Sequence, residues 1–461
     1  MTQDAFWSEL EALFGPRMSR RQSDRALHGQ NETWFDEAPP EVVVWPETTE
    51  EVSDLMKLCT AHRVPVTPWG AGTSLEGHAL AVQGGVTVDF ARMNEVLEIR
   101  AEDRLVRVQP GLTREELNVE LRASGLMFTV DPGANATLGG MAATRASGTT
   151  TVRYGSMRAN VAALEVVLAD GRVIRTGSGA AKSASGYDLT ALMLGSEGTL
   201  GLITELTLRL HGQPEAISSA VCAFDSLEAA VETVQMVIQM GIPMARIEFV
   251  DAEIARMFNA MNGTAMPEKP HLLIEFHGTP ESVAQDSARF GEVVAEMGGA
   301  DFQWATTTEE RTRLWKMRHG AYSSCLAWRP GCMGLVTDVC VPISRLAEAV
   351  ERGREIIAAA GLDGPILGHV GDGNFHAILL LDRENPEELA RAKQVGHELA
   401  EMALAMGGTI TGEHGIGLGK RYMMAEEHGE AWAVMGTIKA ALDPLGLLNP
   451  GKLVPQPGET A

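Results

Sequence analysis

Gly368-His-Val-Gly-Asp-Gly-Asn-Phe-His376 is the stretch on which the reading of this chain turns. Apolar runs flank it, Pro365–Leu367 before and Ala377–Leu381 after. Two such runs around an Asp-Gly pair predict a β-hairpin, because Asp and Gly accept the positive φ of a type I′ turn. With Asp372-Gly373 at the tip, Gly371 faces Asn374, Val370 faces Phe375 and His369 faces His376. Directly opposed residues share a face, with Cβ atoms ~4.5–5.5 Å apart. Two imidazoles so placed can converge on one ion, and Glu413 in Thr411-Gly-Glu-His-Gly-Ile-Gly417 offers a carboxylate. The plainer reading is two surface histidines on a tight turn. The glycine and polar residues between them, and the second Gly-Glu-His-Gly segment, favour the metal site.

Outward from the hairpin, 461 residues are too many for one core and predict two or three domains. A formal net charge of −23 repels nucleic-acid phosphate, so nucleic acid is not an expected partner. No apolar run approaches ~20 residues, so no transmembrane segment is expected. The start, Met1–Trp7, lacks the basic-then-apolar pattern of a secretion signal. The cysteines (59, 222, 325, 332, 340) are odd in number and form no Cys-x-x-Cys, which suits a reducing compartment and argues against an iron–sulfur cluster. The expected location is cytoplasmic, with a peripheral position at the inner membrane left open.

Along the chain, residues 4–14 predict a helix stopped by Gly15-Pro16. Strand Val42–Trp45, a helix opened by a Thr48/Glu51 capping box, and strand Val64–Thr67 form a strand–helix–strand unit. It runs into Pro68-Trp-Gly-Ala-Gly-Thr-Ser-Leu-Glu-Gly-His78, whose glycines permit close backbone approach to an anion, although the Rossmann fingerprint and the Walker lysine are both missing. A second box, Thr113/Glu116, opens a helix ending at Gly125. Val130–Thr150 is small-residue-rich and nearly uncharged, suited to a large flat ligand lying against backbone. Pro214 marks a boundary. Beyond it, two strand–helix–strand passes suggest a ferredoxin-like sheet, with a single helix over Thr308–Ala327 and a last one near Ala431–Leu442.

Taken together, Asp131-Pro-Gly-Ala134, Ala146-Ser-Gly-Thr-Thr150, Val152-Arg-Tyr-Gly155, Leu194–Thr204, Arg329-Pro-Gly-Cys332, Thr337–Arg345, Gly368–His376 and Gly412–Arg421 resemble the flavin-dependent D-lactate dehydrogenases of the vanillyl-alcohol-oxidase superfamily. The resemblance covers nearly the whole chain. It implies an α+β protein: an N-terminal helical segment (1–37), a PCMH-type FAD-binding domain of two α/β subdomains (38–213), a ferredoxin-like antiparallel cap carrying the metal (214–425), and a C-terminal segment returning to the FAD domain (426–461). It implies non-covalent FAD, since no histidine occupies Gly70–Gly72; His78 stays open as a tether. The pyrophosphate would sit on Pro68, Trp69, Gly70, Ala71, Gly72, Thr73 and Ser74. The ring and ribityl chain would lie along Pro132, Gly133, Gly139, Gly140, Ala143, Thr144, Ser147, Gly148 and Gly155, with Gly198 and Ile203 at the adenine.

The resemblance further implies that His369, His376 and Glu413 hold a divalent metal (zinc, manganese or iron), that His414 is the base and that Arg318 binds the substrate carboxylate. Adjacent residues on an extended chain point opposite ways, so Glu413 and His414 need a bend there to serve one centre. On residues alone Arg318 could equally be a helix-surface ion pair and Asn374 a turn asparagine; Asn374 is taken to orient the hydroxyl or the flavin. Tyr322 and Val336 stand where dicarboxylate-specific relatives place a threonine and a lysine, which argues against a dicarboxylic substrate. The expected reaction is oxidation of a small D-2-hydroxy acid, D-lactate first. Hydride passes to flavin N5, and electrons leave to cytochrome c, a quinone or an electron-transfer flavoprotein. The flavin subunit of a glycolate oxidase complex and a non-catalytic flavin-binding subunit are the alternatives. A homodimer is left open.

Overall fold

The computed structural model describes residues 3–30 and 33–455; the outermost parts of the expected terminal segments, 1–2 and 456–461, and residues 31–32 lie outside the described residues. Contacts divide the chain into two units: Met1–Ser147, Gly155–Gln213 and Glu413–Ala461 in the first, Gly148–Tyr154 and Pro214–Gly412 in the second. Gly148–Tyr154, inside the stretch expected for the FAD domain, therefore packs with the second unit, and that unit gives way to the first after Gly412.

In the first unit, strands Val42–Val44, Val86–Asp89 and Val66–Trp69 pair in parallel. All three residues of Val42–Val44 are fully buried, the unbroken apolar pattern of a strand covered on both faces. Helix Thr49–His62 makes the crossover. Thr48 Oγ1 accepts the Glu51 amide, but the return half of the expected capping box is not made. The Glu51 carboxylate is taken by the Arg17 guanidinium and the Glu47 amide instead, an ion pair outcompeting a local cap. The Thr113/Glu116 box is complete. A second, antiparallel sheet runs in the order Val96–Arg100, Leu105–Val108, Leu202–Arg209, Val161–Val167, Val173–Gly177. The small-residue run contains a helix, Leu138–Thr144, capped by Thr137. After helix Glu430–Leu442 the chain returns to the parallel sheet, where Leu447 O accepts the Val66 amide at 2.8 Å.

The second unit is built on an eight-stranded antiparallel sheet. Its first four strands, Ala216–Ala223, Met244–Val250, His271–Gly278 and Ala300–Ala305, lie in the spatial order fourth, first, third, second, the ferredoxin-like arrangement. Ile366–Gly368, Asn374–Asp382 and Cys332–Val336 extend it beyond the second strand, and Val339–Cys340 also pairs with Asn374–Asp382. The edge strand Ala300–Ala305 and the longest helix, Pro386–Ala405, were not anticipated. The helix carries its own start signal, Asn385 as cap with Pro386 at the first position and Glu387 and Glu388 behind it. The helix expected over Thr308–Ala327 is two, Thr308–His319 and Ala321–Trp328, interrupted at Gly320. Among the described residues no helix is long and apolar enough to cross a membrane.

The hairpin forms with a different turn. Leu367 pairs with His376 and Ile366 with Ala377, a register two residues away from the one that opposes His369 to His376. A type I′ turn needs positive φ at both central residues; Gly373 has it (φ 80°) and Asp372 does not. The loop spans 369–373, closed by Asp372 N donating to His369 O at 2.9 Å. Its αL residue is set by a neighbour: Gly373 O accepts the Val341 amide, and a Cβ on Gly373 would lie 2.1 Å from Val341 O. Because side chains alternate with period 2, a slip of two residues keeps face parity, so the histidines still share one side. Both are buried, at 8% and 4% exposure, which removes the surface-turn reading. Gly373→Ala is expected to lower stability by roughly 1–3 kcal/mol or more from the positive φ alone, read from the urea midpoint.

Candidate active site

Strand Met244–Val250 places Arg246 and Glu248 on one face. On its one side Glu275 opposes Arg246; on the other Phe249 opposes Gly368, so the same register carries Glu248 opposite His369. Helix Thr308–His319 brings Trp315 and Arg318, three residues apart, onto that face. Glu248 then makes two contacts at once. Its Oε2 accepts Arg318 Nε at 2.7 Å and its Oε1 lies 2.7 Å from His369 Nδ1. Burial alone would push the Glu248 carboxyl up; the charges and hydrogen bonds of His369 and Arg318 outweigh burial and hold it below its ordinary range. His376 Nδ1 lies 3.1 Å from the Thr337 carbonyl. A carboxylate and a carbonyl only accept, so both Nδ1 atoms carry a proton, and whenever a ring is in its neutral form the lone pair lies on Nε2. The two rings are 5.5 Å apart at 84°. Two imidazoles are ligand types that divalent transition metals take.

Asn374 donates to Asp338 Oδ1 (2.7 Å) and the Val339 carbonyl (2.8 Å), while its own Oδ1 is buried with no hydrogen-bond partner in the protein. Asp338 also accepts the Thr411 hydroxyl at 2.6 Å. Glu248 and Asp338 were missed by sequence reasoning. Their signal was there: a carboxylate between two apolar residues of a strand, Ile247-Glu248-Phe249, and one beside a strand, Asp338-Val339. A second buried polar cluster lies on the same sheet. Glu275 Oε2 accepts Ser219 Oγ and Trp315 Nε1, and its Oε1 is 2.8 Å from His277 Nε2. Burial would raise the Glu275 carboxyl, but the His277 hydrogen bond and the Arg246 charge bring it down to about 2.

The expected flavin residues fall mainly in the first unit. The Pro68–Ser74 loop leaves the end of strand Val66–Trp69, and among the described residues the amides of Ala71, Gly72, Thr73 and Ser74 donate to no protein acceptor. Gly72 has φ 71°. A Cβ on Gly70 would lie 2.3 Å from Thr137 Oγ1, and one on Gly198 2.4 Å from Pro68 Cγ. Bare amides beside glycines with no room for a Cβ are the kind of backbone on which an anion can be held. Gly139 packs on Pro110, Gly140 N is capped by Thr137, and Ala143 O accepts the Glu197 amide. Glu413 accepts the Ser147 hydroxyl at 3.0 Å. The loop after His414 is pinned by Glu197, whose carboxylate accepts the Ile416 and Gly417 amides and lies 3.2 Å from His78 Nε2. Gly148 belongs with the second unit.

Two family profiles match the chain: "FAD linked oxidases, C-terminal domain" over residues 213–453 and "FAD binding domain" over 40–177. The chain is 49% identical to a probable mitochondrial D-lactate dehydrogenase of Danio rerio, covering 93% of this chain and 87% of that one. It is 42% identical to the mitochondrial D-lactate dehydrogenase [cytochrome] of Arabidopsis thaliana, over 97% and 80%. It is 35% identical to the glycolate oxidase subunit GlcD of Bacillus subtilis, over 93% and 92%. Substrate-bound p-cresol methylhydroxylase superposes with a TM-score of 0.80 at 19% identity, over 98% and 97%, a likeness of fold. The cytoplasmic expectation is corrected by these relatives: both named D-lactate dehydrogenases are mitochondrial proteins.

Glu275 generates a pH prediction. Its folded carboxyl, at about 2 against an ordinary 4.5, contributes stability that is fully present above about pH 4.5 and is lost as pH falls toward 2. Glu275→Gln is expected to flatten that part of the acid limb, checked by comparing urea midpoints of the two proteins at about pH 5 and about pH 3.

Proposed function

We propose, from the premise that this chain belongs to the FAD-linked oxidase family, that it oxidises a small D-2-hydroxy acid, D-lactate to pyruvate, and passes the electrons to an external acceptor such as cytochrome c. The observation that carries this reading is Glu248, one buried carboxylate holding both Arg318 and His369. With Nε engaged by Glu248, Arg318 has its outer pair of guanidinium nitrogens for a substrate carboxylate, the planar two-pronged match of the two groups. An α-hydroxyl is one carbon from that carboxylate. Anchoring the carboxylate at Arg318 therefore presents the hydroxyl toward the lone-pair nitrogens of His369 and His376.

His369, His376 and Glu413 would hold a divalent metal, whose chemistry there would be Lewis acidity toward the substrate hydroxyl. Bound FAD would supply the acceptor for a hydride from Cα. His414 takes the hydroxyl proton, which an imidazole does near neutral pH. The buried Asn374 Oδ1 accepts a hydrogen bond from substrate or cofactor, which answers its missing partner. The glycolate oxidase reading is favoured by the likeness to the Bacillus subtilis subunit. It differs in substrate and in needing further subunits.

Stopped-flow bleaching of the flavin by D- and L-lactate and by glycolate, with and without chelator, tests the reading. Fast bleaching by D-lactate alone, abolished by chelator and restored by metal, is the expected result; bleaching indifferent to chelator sinks the metal role. His414→Ala is expected to cut turnover by about 10²–10⁴-fold while the protein stays yellow. Glu248→Gln is expected to weaken metal binding by roughly 10–100-fold and to raise the KM for D-lactate, because the same carboxylate orients Arg318; metal titration and steady-state kinetics read the two effects separately.

A further inference from the structure

The second unit holds a relay, buried at Glu275 and His277 and half-buried at Tyr154, that the proposed reaction does not use. Tyr154 Oη lies 2.8 Å from His277 Nδ1, and His277 Nε2 lies 2.8 Å from Glu275 Oε1. The ionised Glu275 fixes the proton on His277 Nε2, so the Tyr154 hydroxyl donates to Nδ1. Glu275 is itself held from behind by Ser219 Oγ and Trp315 Nε1. The relay is thus a rigid post rising from strand His271–Gly278.

The post ends on an unusual piece of chain. Tyr154 closes the four-residue helix Thr151–Tyr154, whose Thr151 hydroxyl accepts the Gly148 amide at 3.0 Å. Next to Tyr154, the Arg153 guanidinium donates to the Pro243 carbonyl at 2.9 Å. Val152 packs on the histidine loop, since a Cβ on Gly371 would come within 2.8 Å of Val152 Cγ2. One short segment is therefore tied to the sheet at one end and touches the loop between His369 and His376 with its middle. In the sequence it is bracketed by Ser147, Gly148 and Gly155, all expected at the flavin.

We propose that Tyr154 is a positioning residue: through His277 and Glu275 it straps the stretch Gly148–Tyr154, whose Gly148 is expected at the flavin, to the sheet that bears the histidine hairpin, and so holds that backbone where the cofactor packs. This rests on the reading of the stretch as flavin-lining. The Tyr154 hydroxyl itself transfers no proton in the reaction. Its work is done before substrate arrives, by keeping a glycine-flanked backbone from relaxing.

Tyr154→Phe in the full FAD-loaded chain removes the one hydroxyl and keeps the ring. The expected result is a shifted visible flavin band, FAD release faster by about tenfold and flavin reduction by D-lactate slower by about tenfold, the scale of a small misplacement near the chemistry. His277→Asn should reproduce these changes, and the double variant should add nothing to either single one, as for two links of one chain. A lowered thermal midpoint with the flavin band and release rate unmoved would show a role in stability only and overturn the proposal. Unchanged band, release and reduction overturn it too. Should Tyr154→Phe not fold, His277→Asn carries the same readouts. Band and release need no substrate, so they decide this inference even where wild-type flavin proves indifferent to D-lactate, an outcome that would strike the substrate assignment instead.

Discussion

A carboxylate taken out of water into an apolar sheet must be paired, and Glu248, with no exposed surface, is paired twice. That constraint organises the second unit. Its two oxygens demand two cationic or N–H partners at fixed directions, and they receive one from a helix, Arg318, and one from the neighbouring hairpin, His369. Removing either would leave a buried charge half satisfied. The helix, the central strand and the hairpin are thereby set against one another by electrostatics as well as by packing, and the two side chains expected to meet substrate and metal are set with them.

The same logic recurs at each site residue. His376 is oriented by the Thr337 carbonyl, Asn374 by Asp338, and Asp338 is shared with Thr411. In the first unit Glu197 plays the corresponding part, gathering His78 and the Ile416 and Gly417 amides behind the Glu413–His414 segment. Pairs of functional side chains hang from single buried acids. Glu248 sits in a strand, Asp338 between two strands and Glu197 in a turn, so the groups they orient are held firmly although several of them lie on loops.

Glycine does the complementary work in the first unit. Gly70 and Gly198 lie where a methyl group would collide with Thr137 and Pro68. Among the described residues the loop amides of residues 71–74 have no protein acceptor. Backbone polarity is thus offered to a ligand by leaving side chains out, whereas in the second unit polarity is offered by burying side chains and pairing them.

Periodicity and punctuation carried much of the architecture: the parallel strand–helix–strand unit, the ferredoxin-like passes, the Thr113 cap, and a hairpin presenting two histidines to one side. Those follow from local rules, alternation along strands and cap chemistry at helix ends, which act over a few residues. The motif runs carried the family. What the local rules missed were competitions settled by distant residues. The Glu51 carboxylate is taken by Arg17, the hairpin loop is longer than Asp372-Gly373 with its Gly373 carbonyl held by the Val341 amide, and Gly148–Tyr154 packs with the second unit. Glu248 and Asp338 were legible only as misplaced charges. Which histidine nitrogen faces the centre, and that one carboxylate serves both Arg318 and His369, depends on strands 121 residues apart lying side by side. Pairing across that separation is a property of the packed sheet, because only there does water withdraw and oblige each buried charge to find its partner.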